Sequence, residues 1–179
     1  MRKILYRFFV DFEKEEKWVN EMGAQGWHLQ KFSFGRFTFT KGEPGTFIYR
    51  NEFISGMSSN EKKDYFEFLK DSGISIINEL GGWVYMKKAA ADGPFEIYTD
   101  TKSKIAYYKR MLNIFALLFI INAWMGIANI SIFGDKTSFE FVNQSVGVFN
   151  IAAALLIAYP IIKIIKSKRL LEKDLQFFE

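Results

Sequence analysis

The chain has 179 residues, of which 49% are hydrophobic and 25% charged, and its formal net charge is +4. This length has room for one ordinary domain and an appendage. The sequence contains no cysteine and a single histidine, which excludes disulfide frameworks, thiolate zinc sites and cysteine nucleophiles.

Residues 1–88 carry the pattern of an α+β domain. Residues 4–12 are rich in β-branched and aromatic side chains and predict a strand. The sequence then indicates a helix over 13–25, capped by Asp11 or the residues just after it and ended by Gly26 in a left-handed conformation. Because the basic N-terminus lacks the apolar core of a secretory signal, we expect this domain to remain in the cytoplasm.

The next segment, residues 27–53, predicts two or three aromatic-rich strands. Aromatic residues alternate on both sides of a turn that contains glycine and proline: Phe37, Phe39, Phe47 and Tyr49. We expect these residues to form cross-strand pairs in one hairpin.

A second helix and a second hairpin complete the predicted domain. The helix opens at a serine or asparagine cap near Ser58 and ends at Gly73. Residues 74–80 and 83–87 predict strands joined by a short glycine turn. The resulting order, β-α-β-β-(β)-α-β-β, predicts a ferredoxin-like antiparallel sheet with two helices on one face.

Two long apolar stretches follow a polar linker and a basic juxtamembrane segment at 89–110. Residues 112–133 carry no charge and residues 145–165 carry one, at Lys163. Each is long enough to cross a hydrocarbon core of about 30 Å. Two core helices of this length would need a much larger soluble domain to cover them. We therefore predict a two-helix transmembrane hairpin over 111–165, with the lipid bilayer as a partner.

Basic residues predict the orientation of this hairpin. They flank it on both sides, at Lys102, Lys104, Lys109, Arg110, Lys163, Lys166, Lys168, Arg169 and Lys173, whereas the connecting loop has only Lys136. The excess of positive charge places both termini in the cytoplasm, in a multi-pass protein of the cell membrane. Residues 166–179 predict an amphipathic cytoplasmic tail, either an interfacial helix or a flexible end.

Small and amide side chains recur at helical spacing on one face of each predicted span. They are Asn122, Gly126 and Asn129 on the first span, and Gly147, Asn150, Ala154 and Ala158 on the second. We expect these two faces to meet, because small residues let backbones approach and asparagines can hydrogen-bond across a helix pair. A path for a solute is disfavoured, because two helices cannot enclose a pore.

Several separated segments resemble the DUF2812 family of bacterial membrane proteins. They occur in the family's order over residues 4 to about 110 and are Tyr6-Arg7-Phe8-Phe9, Ala24-Gln25-Gly26-Trp27-His28-Leu29, Phe37-Thr38-Phe39-Thr40-Lys41-Gly42-Glu43-Pro44, Tyr49-Arg50, Gly81-Gly82-Trp83-Val84-Tyr85 and Asp92-Gly93-Pro94-Phe95-Glu96-Ile97-Tyr98. The family has no assigned activity, so the resemblance implies no catalytic residue. Its members are often encoded beside PadR-like transcriptional regulators, which implies a regulatory context.

Two segments carry partial signals of a catalytic or nucleic-acid-binding site. His28 is a candidate general base, but no paired serine or cysteine and no carboxylate cluster lies near it in sequence, so a structural histidine at the sheet surface is favoured. Residues 31–39 interleave basic and aromatic residues as RNA-binding strands do, but they lack the Lys-Gly-aromatic-Gly start of that signature. We therefore expect no nucleic-acid partner, and we assign no catalytic, metal or cofactor-binding residue and no cofactor.

The high aromatic content favours an interaction protein. Aromatic residues on both faces of a sheet would leave one face uncovered by two helices. We expect a protein partner or a second copy to cover it, with six interaction anchors: Trp27, Phe37, Phe39, Phe47, Tyr49 and Trp83. The sequence thus predicts a membrane-anchored binding or regulatory module that is not an enzyme. Two alternatives stay open: an accessory or sensor subunit of a membrane transporter, and an enzyme acting on a lipid-soluble substrate.

Overall fold

The structure of the protein is a computed structural model that describes residues 1–98, 101–131 and 140–178. It divides into two compact units, residues 1–97 and the residues from 98 onward. The first unit contains β1 (Arg2–Tyr6), α1 (Phe12–Ala24), β2 (Trp27–Ser33), β3 (Arg36–Lys41), β4 (Phe47–Phe53), α2 (Ser59–Asp71), β5 (Ser75–Leu80), β6 (Trp83–Ala89) and a 3-10 turn (Ala90–Asp92). The second contains α3 (Thr101–Ser131) and α4 (Glu140–Phe178).

The two helices of the first unit begin at side-chain caps. Asp11 Oδ1 accepts hydrogen bonds from the backbone N–H groups of Glu13 and Lys14, at 3.0 and 3.2 Å. At the start of α2, Ser58 and Glu61 form a reciprocal capping box. Both caps satisfy N–H groups that the first helical turn leaves without a partner. The predicted helix starts are therefore confirmed.

The strands form two antiparallel sheets, in the order β1-β3-β2 for sheet 1 and β4-β6-β5 for sheet 2. The predicted α+β class is confirmed, although the strands are divided between two sheets where one ferredoxin-like sheet was expected. The side chain of Asn78 in β5 bridges to β2, accepting from Phe32 N and donating to Phe32 O at 2.8 Å each. Register shifts interrupt both β2 and β5 near this bridge. Such bulges end regular pairing, which explains why a side chain joins the sheets there.

The predicted pairing of Phe37 and Phe39 with Phe47 and Tyr49 is wrong. Strand β3 pairs with β1 and β2, whereas β4 pairs with β6. The turn between β3 and β4 therefore connects two different sheets. An alternating aromatic pattern identifies the buried face of a strand, but it does not identify the neighbouring strand.

The first unit is a tandem repeat of one β-α-β-β motif. Helix α1 begins at Phe12 and α2 begins 47 residues later at Ser59, and each has 13 residues. The strand registers repeat with the same offset: Ile4 lies opposite Thr38, and Asn51 opposite Tyr85. The register shifts of β2 and β5 are also 47 residues apart. We call β1 to β3 repeat 1 and β4 to β6 repeat 2, and counterpart residues differ by 47 in number.

The two helices lie on opposite faces of sheet 2 and not on one face as predicted. Tyr85 of β6 is buried in a cluster with residues of α1, including Val19 and Met22. Its neighbours in sequence, Val84 and Met86, belong to a second cluster with Leu69 of α2. Since successive strand residues point to opposite faces, α1 covers one face of sheet 2 and α2 covers the other.

In the second unit, α3 and α4 pack as an antiparallel hairpin, which confirms the predicted helix pair. Two segments of it, 101–130 and 141–175, are long and apolar enough to cross a membrane by length and composition. Helix α3 starts within the predicted linker, and α4 continues through the predicted tail to Phe178. The last two residues of the first predicted span, 132–133, and the loop residue Lys136 lie outside the described residues.

Candidate functional site

Polar side chains of α1 cap the open edge of β4 and join the two repeats. Asn20 Oδ1 accepts from Tyr49 N at 2.9 Å, and Asn20 Nδ2 donates to Tyr49 O at 2.8 Å. One turn earlier, Glu16 accepts from Asn51 N at 3.0 Å and forms an ion pair with Arg50 at 3.3 Å. Because β4 is an edge strand of sheet 2, these side chains satisfy backbone groups that have no neighbouring strand.

A carboxylate and a phenol lie beside this edge. The Tyr85 hydroxyl donates a close hydrogen bond to Glu15 and accepts from Asn51 Nδ2 at 3.3 Å. Burial raises the pKa of Glu15 against the opposing effect of the Tyr85 hydrogen bond. Burial, with the adjacent Glu15 charge, also raises the pKa of Tyr85 far above its ordinary value. Burial likewise raises the pKa of Glu16, although Asn51 N–H and Arg50 oppose it. Perturbed groups can mark active sites, but these bind each other across the repeats, which fits a structural role.

His28 is buried, whereas the sequence predicts a histidine at the sheet surface. Its Nε2 donates to the carbonyl oxygen of Glu43 at 2.8 Å, and its Nδ1 lies 2.9 Å from the Tyr49 hydroxyl. Burial raises the pKa of Tyr49 to about 12, so this hydroxyl keeps its proton and can donate it to Nδ1. A Cβ at Gly42 would lie 2.5 Å from the imidazole Cδ2. With both ring nitrogens engaged, His28 links β2 to β4 and the preceding turn.

Three of the six predicted interaction anchors belong to the core. Phe37, Phe39 and Tyr49 are fully buried, so they cannot contact a partner in this fold, and the prediction is corrected for them. Their alternation in the sequence marked a buried face, but α1 of the same chain covers that face. The other three, Trp27, Phe47 and Trp83, are half-buried.

The half-buried aromatics are themselves partly covered. Lys3 and Lys41 approach the ring of Trp27 to 5.1 and 5.0 Å from its centroid. Phe47 packs edge-on against His28, with ring centroids 5.3 Å apart. These contacts lie within the domain, so the predicted anchors do not form one continuous exposed surface.

A different set of aromatic residues is exposed at one end of sheet 1. The side chains of Tyr6, Phe8 and Phe34 are 74%, 77% and 83% exposed. Arg7 N donates to Gly35 O at 2.8 Å, and a Cβ at Gly35 would lie 2.6 Å from the Phe8 ring. This close approach requires glycine, which also has a positive φ of 65° there. It holds the segment after β1 against the β2–β3 turn.

Arginines accompany these aromatics. Arg36 lies opposite Tyr6 in the β1–β3 register. Arg7 precedes Phe8, and its guanidinium lies 4.8 and 5.2 Å from the ring centroids of Phe9 and Trp18. We call the set Tyr6, Arg7, Phe8, Phe34 and Arg36 the aromatic tip. The sequence did not identify it as a surface, although all five residues lie in the aromatic-rich segments 4–12 and 31–39. The missing information was where the strands end, because Phe8 follows β1 and Phe34 lies between β2 and β3. For Tyr6 and Arg36 it was which face of their strands α1 covers.

The segments that form sheet 1 are also strongly basic. Residues 1–10 and 27–42 together contain six lysines and arginines and no aspartate or glutamate. A single sign of charge over one sheet favours an anionic partner surface. Within the described residues, no group of three or more histidine, aspartate and glutamate side chains is arranged to hold a metal ion.

The predicted packing residues of the helix pair divide into two groups. Gly126 and Gly147 lie where α3 and α4 approach closely: an added Cβ would lie 2.6 Å from Ile151 Cδ1 and 2.7 Å from Ile130 Cγ1, respectively. Ala154 is buried, whereas Asn150 and Ala158 are half-buried.

The amides of Asn122 and Asn129 point back along α3. Their Nδ2 atoms donate to the carbonyl oxygens of Leu118 and Met125, four residues earlier, at 2.8 Å each. These donors therefore bond within one helix, and the glycines provide the close contact between the two helices.

These observations define an α+β protein built from two β-α-β-β repeats, followed by two helices long and apolar enough to span a membrane. The chain belongs to the DUF2812 family: the family model, described as a protein of unknown function, matches residues 11–120. The match covers most of the repeat domain and the first part of α3, and it confirms the resemblance seen in the sequence. No curated protein and no solved structure is detectably similar to the chain.

Proposed function

We propose that the protein is a membrane-anchored binding module that works through protein–protein contacts, with the aromatic tip as its contact surface. The observation that carries the proposal is the exposure of three large aromatic rings beside two arginines. Aromatic residues and arginine are enriched among the residues that contribute most to binding at protein interfaces. A PadR-like transcriptional regulator, implied by the family resemblance, is one partner to test.

The proposal includes a multi-pass anchor formed by α3 and α4. In the most apolar 18-residue segment of each helix, only 11% (α3) and 17% (α4) of the segment is buried, whereas a core helix of a soluble protein is mostly buried. Large apolar side chains such as Trp124 and Phe149 are about 70% exposed. Their exposure supports contact with lipid, and the basic residues that flank both helices support cytoplasmic termini.

Site-specific cross-linking in native membranes tests the contact surface. The chain has no cysteine, so Phe34→Cys introduces a unique attachment point for a photo-cross-linker. Phe68 of α2 is also exposed and lies outside the aromatic tip, so Phe68→Cys is the matched control. We expect Phe34→Cys to give a discrete protein adduct that is lost when Arg7→Glu and Phe8→Ala are added. An adduct of Phe34→Cys that Arg7→Glu and Phe8→Ala leave unchanged, or no adduct from Phe34→Cys, would reject the tip as the contact surface.

The same cysteine variants test the orientation. In intact cells, a maleimide that cannot cross membranes should leave Phe34→Cys unlabelled until the membrane is permeabilised. Labelling of intact cells would place the repeat domain outside the cytoplasm and contradict the proposed topology. Recovery of the protein in the supernatant after ultracentrifugation without detergent would contradict the membrane anchor.

A further inference from the structure

In repeat 1, the groove between α1 and β2 holds strand β4. Asn20 and Glu16 hydrogen-bond to the β4 backbone, as described above. Gly23 leaves room for the Tyr49 ring, since a Cβ there would lie 2.9 Å from Tyr49 Cε2. His28 reaches the Tyr49 hydroxyl from the β2 side. This groove is thus built to hold an extended strand.

The counterpart groove in repeat 2, between α2 and β5, is open. It has a volume of about 610 Å³ and an apolar floor that includes Phe66, Ile74 and Ile76. Its polar rim has the side chains of Lys62, Lys63, Glu67 and Lys70. Each rim residue lies 47 positions after a residue of α1: Glu15, Glu16, Asn20 and Gly23. Glu16, Asn20 and Gly23 contact β4, whereas Glu15 contacts Tyr85 of β6. Of the strands in residues 1–98, none occupies this groove.

The rim of the open groove has the opposite charge to its counterpart. Glu15 and Glu16 of repeat 1 correspond to Lys62 and Lys63 of repeat 2. Since Glu16 pairs with Arg50 of β4, an occupant of the open groove should carry a carboxylate at that position, facing Lys63. Lys62 already forms an ion pair with Glu79 of β5, which leaves Lys63 and Lys70 as the cations for an occupant. The ion pair of Lys63 with Glu67, at 4.0 Å, is largely exposed and therefore weak.

The two remaining rim residues, Glu67 and Lys70, restrict which side chains a bound strand can carry. Lys70 replaces Gly23, so a ring cannot approach the helix as Tyr49 does, and a second carboxylate is favoured there instead. Glu67 replaces Asn20 and can still accept a hydrogen bond from a backbone N–H. The groove therefore suits a strand with apolar side chains on one face and acidic side chains near the helix.

We propose that the groove between α2 and β5 binds an extended, acidic segment of a partner protein. The inference adds a second contact to the proposed function and does not depend on the aromatic tip. Strand β1 of a second copy fits poorly, because the β1 counterpart of Arg50 is Lys3, which would face Lys63. The mode of binding resembles the addition of a strand to a protein edge, with side chains supplying the backbone hydrogen bonds.

Peptide binding to the full chain in lipid nanodiscs tests the proposal. The probe is a fluorescent peptide with the sequence of residues 46–54 carrying Tyr49→Glu and Arg50→Glu, and the control peptide has the unchanged sequence. By fluorescence anisotropy, we expect the acidic peptide to bind about tenfold or more tightly than the control. The double variant Lys63→Glu and Lys70→Glu should abolish or reverse this preference.

A double variant with the same charge change on α1 is the matched control. Lys14→Glu and Lys17→Glu alter α1 on exposed positions outside the groove and should leave the preference unchanged. Equal affinity for both peptides, no binding of the acidic peptide at about 1 mM, or equal losses in both double variants would overturn the inference. So would a dimer of the chain that dissociates in the Lys63→Glu and Lys70→Glu variant. Adducts of Phe34→Cys should persist in that variant, so this groove and the aromatic tip can fail separately.

Discussion

The substitution Asn20→Ala tests whether the α1 side chains hold the two repeats together. Asn20 makes two hydrogen bonds to the Tyr49 backbone and one to Glu16 O at 2.9 Å. Alanine keeps the helix but leaves the N–H and C=O of Tyr49 without these partners. Its counterpart Glu67→Ala is the matched control, because Glu67 holds no strand and is exposed.

The expected loss follows from the burial of Tyr49. This residue is fully buried, so water cannot replace the lost hydrogen bonds without opening the structure. An unsatisfied buried backbone group costs about 1–3 kcal/mol, and two such groups imply a loss of about 2–6 kcal/mol in the free energy of unfolding. Glu67→Ala loses only an exposed ion pair, worth less than about 0.5 kcal/mol.

Urea unfolding of the full chain in nanodiscs measures the difference. Three of the four tryptophans, Trp18, Trp27 and Trp83, lie in the first unit and report on its unfolding by fluorescence. We expect a clear fall in the urea midpoint for Asn20→Ala at an unchanged slope, and no shift for Glu67→Ala. Equal shifts in the two variants would refute the argument that β4 depends on these hydrogen bonds.

Two further predictions follow from burial and close packing. Because burial raises the pKa of Glu15, the folded state binds its proton more tightly than the unfolded state, so this group's contribution to stability falls as pH rises through the raised pKa. Glu15→Gln, which can still accept from Tyr85, should therefore flatten the decline of the urea midpoint as pH rises above 4.5, the ordinary pKa of glutamate. An unchanged decline would exclude Glu15 as its source. In the helix pair, Gly126→Leu should force a side chain against Ile151. The unfolding midpoint in detergent should fall by an amount equivalent to about 1–3 kcal/mol. The control Ile127→Leu changes an exposed residue and should have no effect. Equal midpoints would contradict the close approach of the helices.

Local signals in the sequence predicted the elements, because those signals act within a few residues. Asp11 and Ser58 start their helices by accepting nearby N–H groups, and Gly26 and Gly73 follow the helix ends with a positive φ. The uncharged stretch from 112 likewise predicted a long helix from length and composition alone. None of these signals requires a distant part of the chain.

Strand pairing was harder to predict, since it depends on residues far apart in sequence. The alternation of Phe37 and Phe39 fixed their buried face but could not show that β3 pairs with β1 instead of β4. The tandem repeat was not predicted either, although Gly26 and Gly35 recur 47 residues later as Gly73 and Gly82. Few other residues are shared between the repeats, so the glycines and the helix caps were the available signal.

The same dependence on tertiary packing explains the error in the interaction surface. A phenylalanine under α1 and one at the tip have the same local pattern of aromatic and polar neighbours in sequence. Buried Phe39 lies on β3 under α1, whereas exposed Phe34 lies in the turn between β2 and β3. Composition thus predicted that aromatic residues form both a core and a surface, but not which residue belongs to which.

The open groove is a consequence of the number of repeats. Each β-α-β-β unit has a groove that accepts a first strand, so two units in tandem fill one groove and leave the last one open. If Lys62 and Lys63 were glutamates, as their counterparts are, the open groove would attract the basic strand β1 of another copy and favour head-to-tail chains. The reversed charge opposes that assembly. It leaves an exposed strand-binding groove whose charge favours an acidic partner over the chain itself.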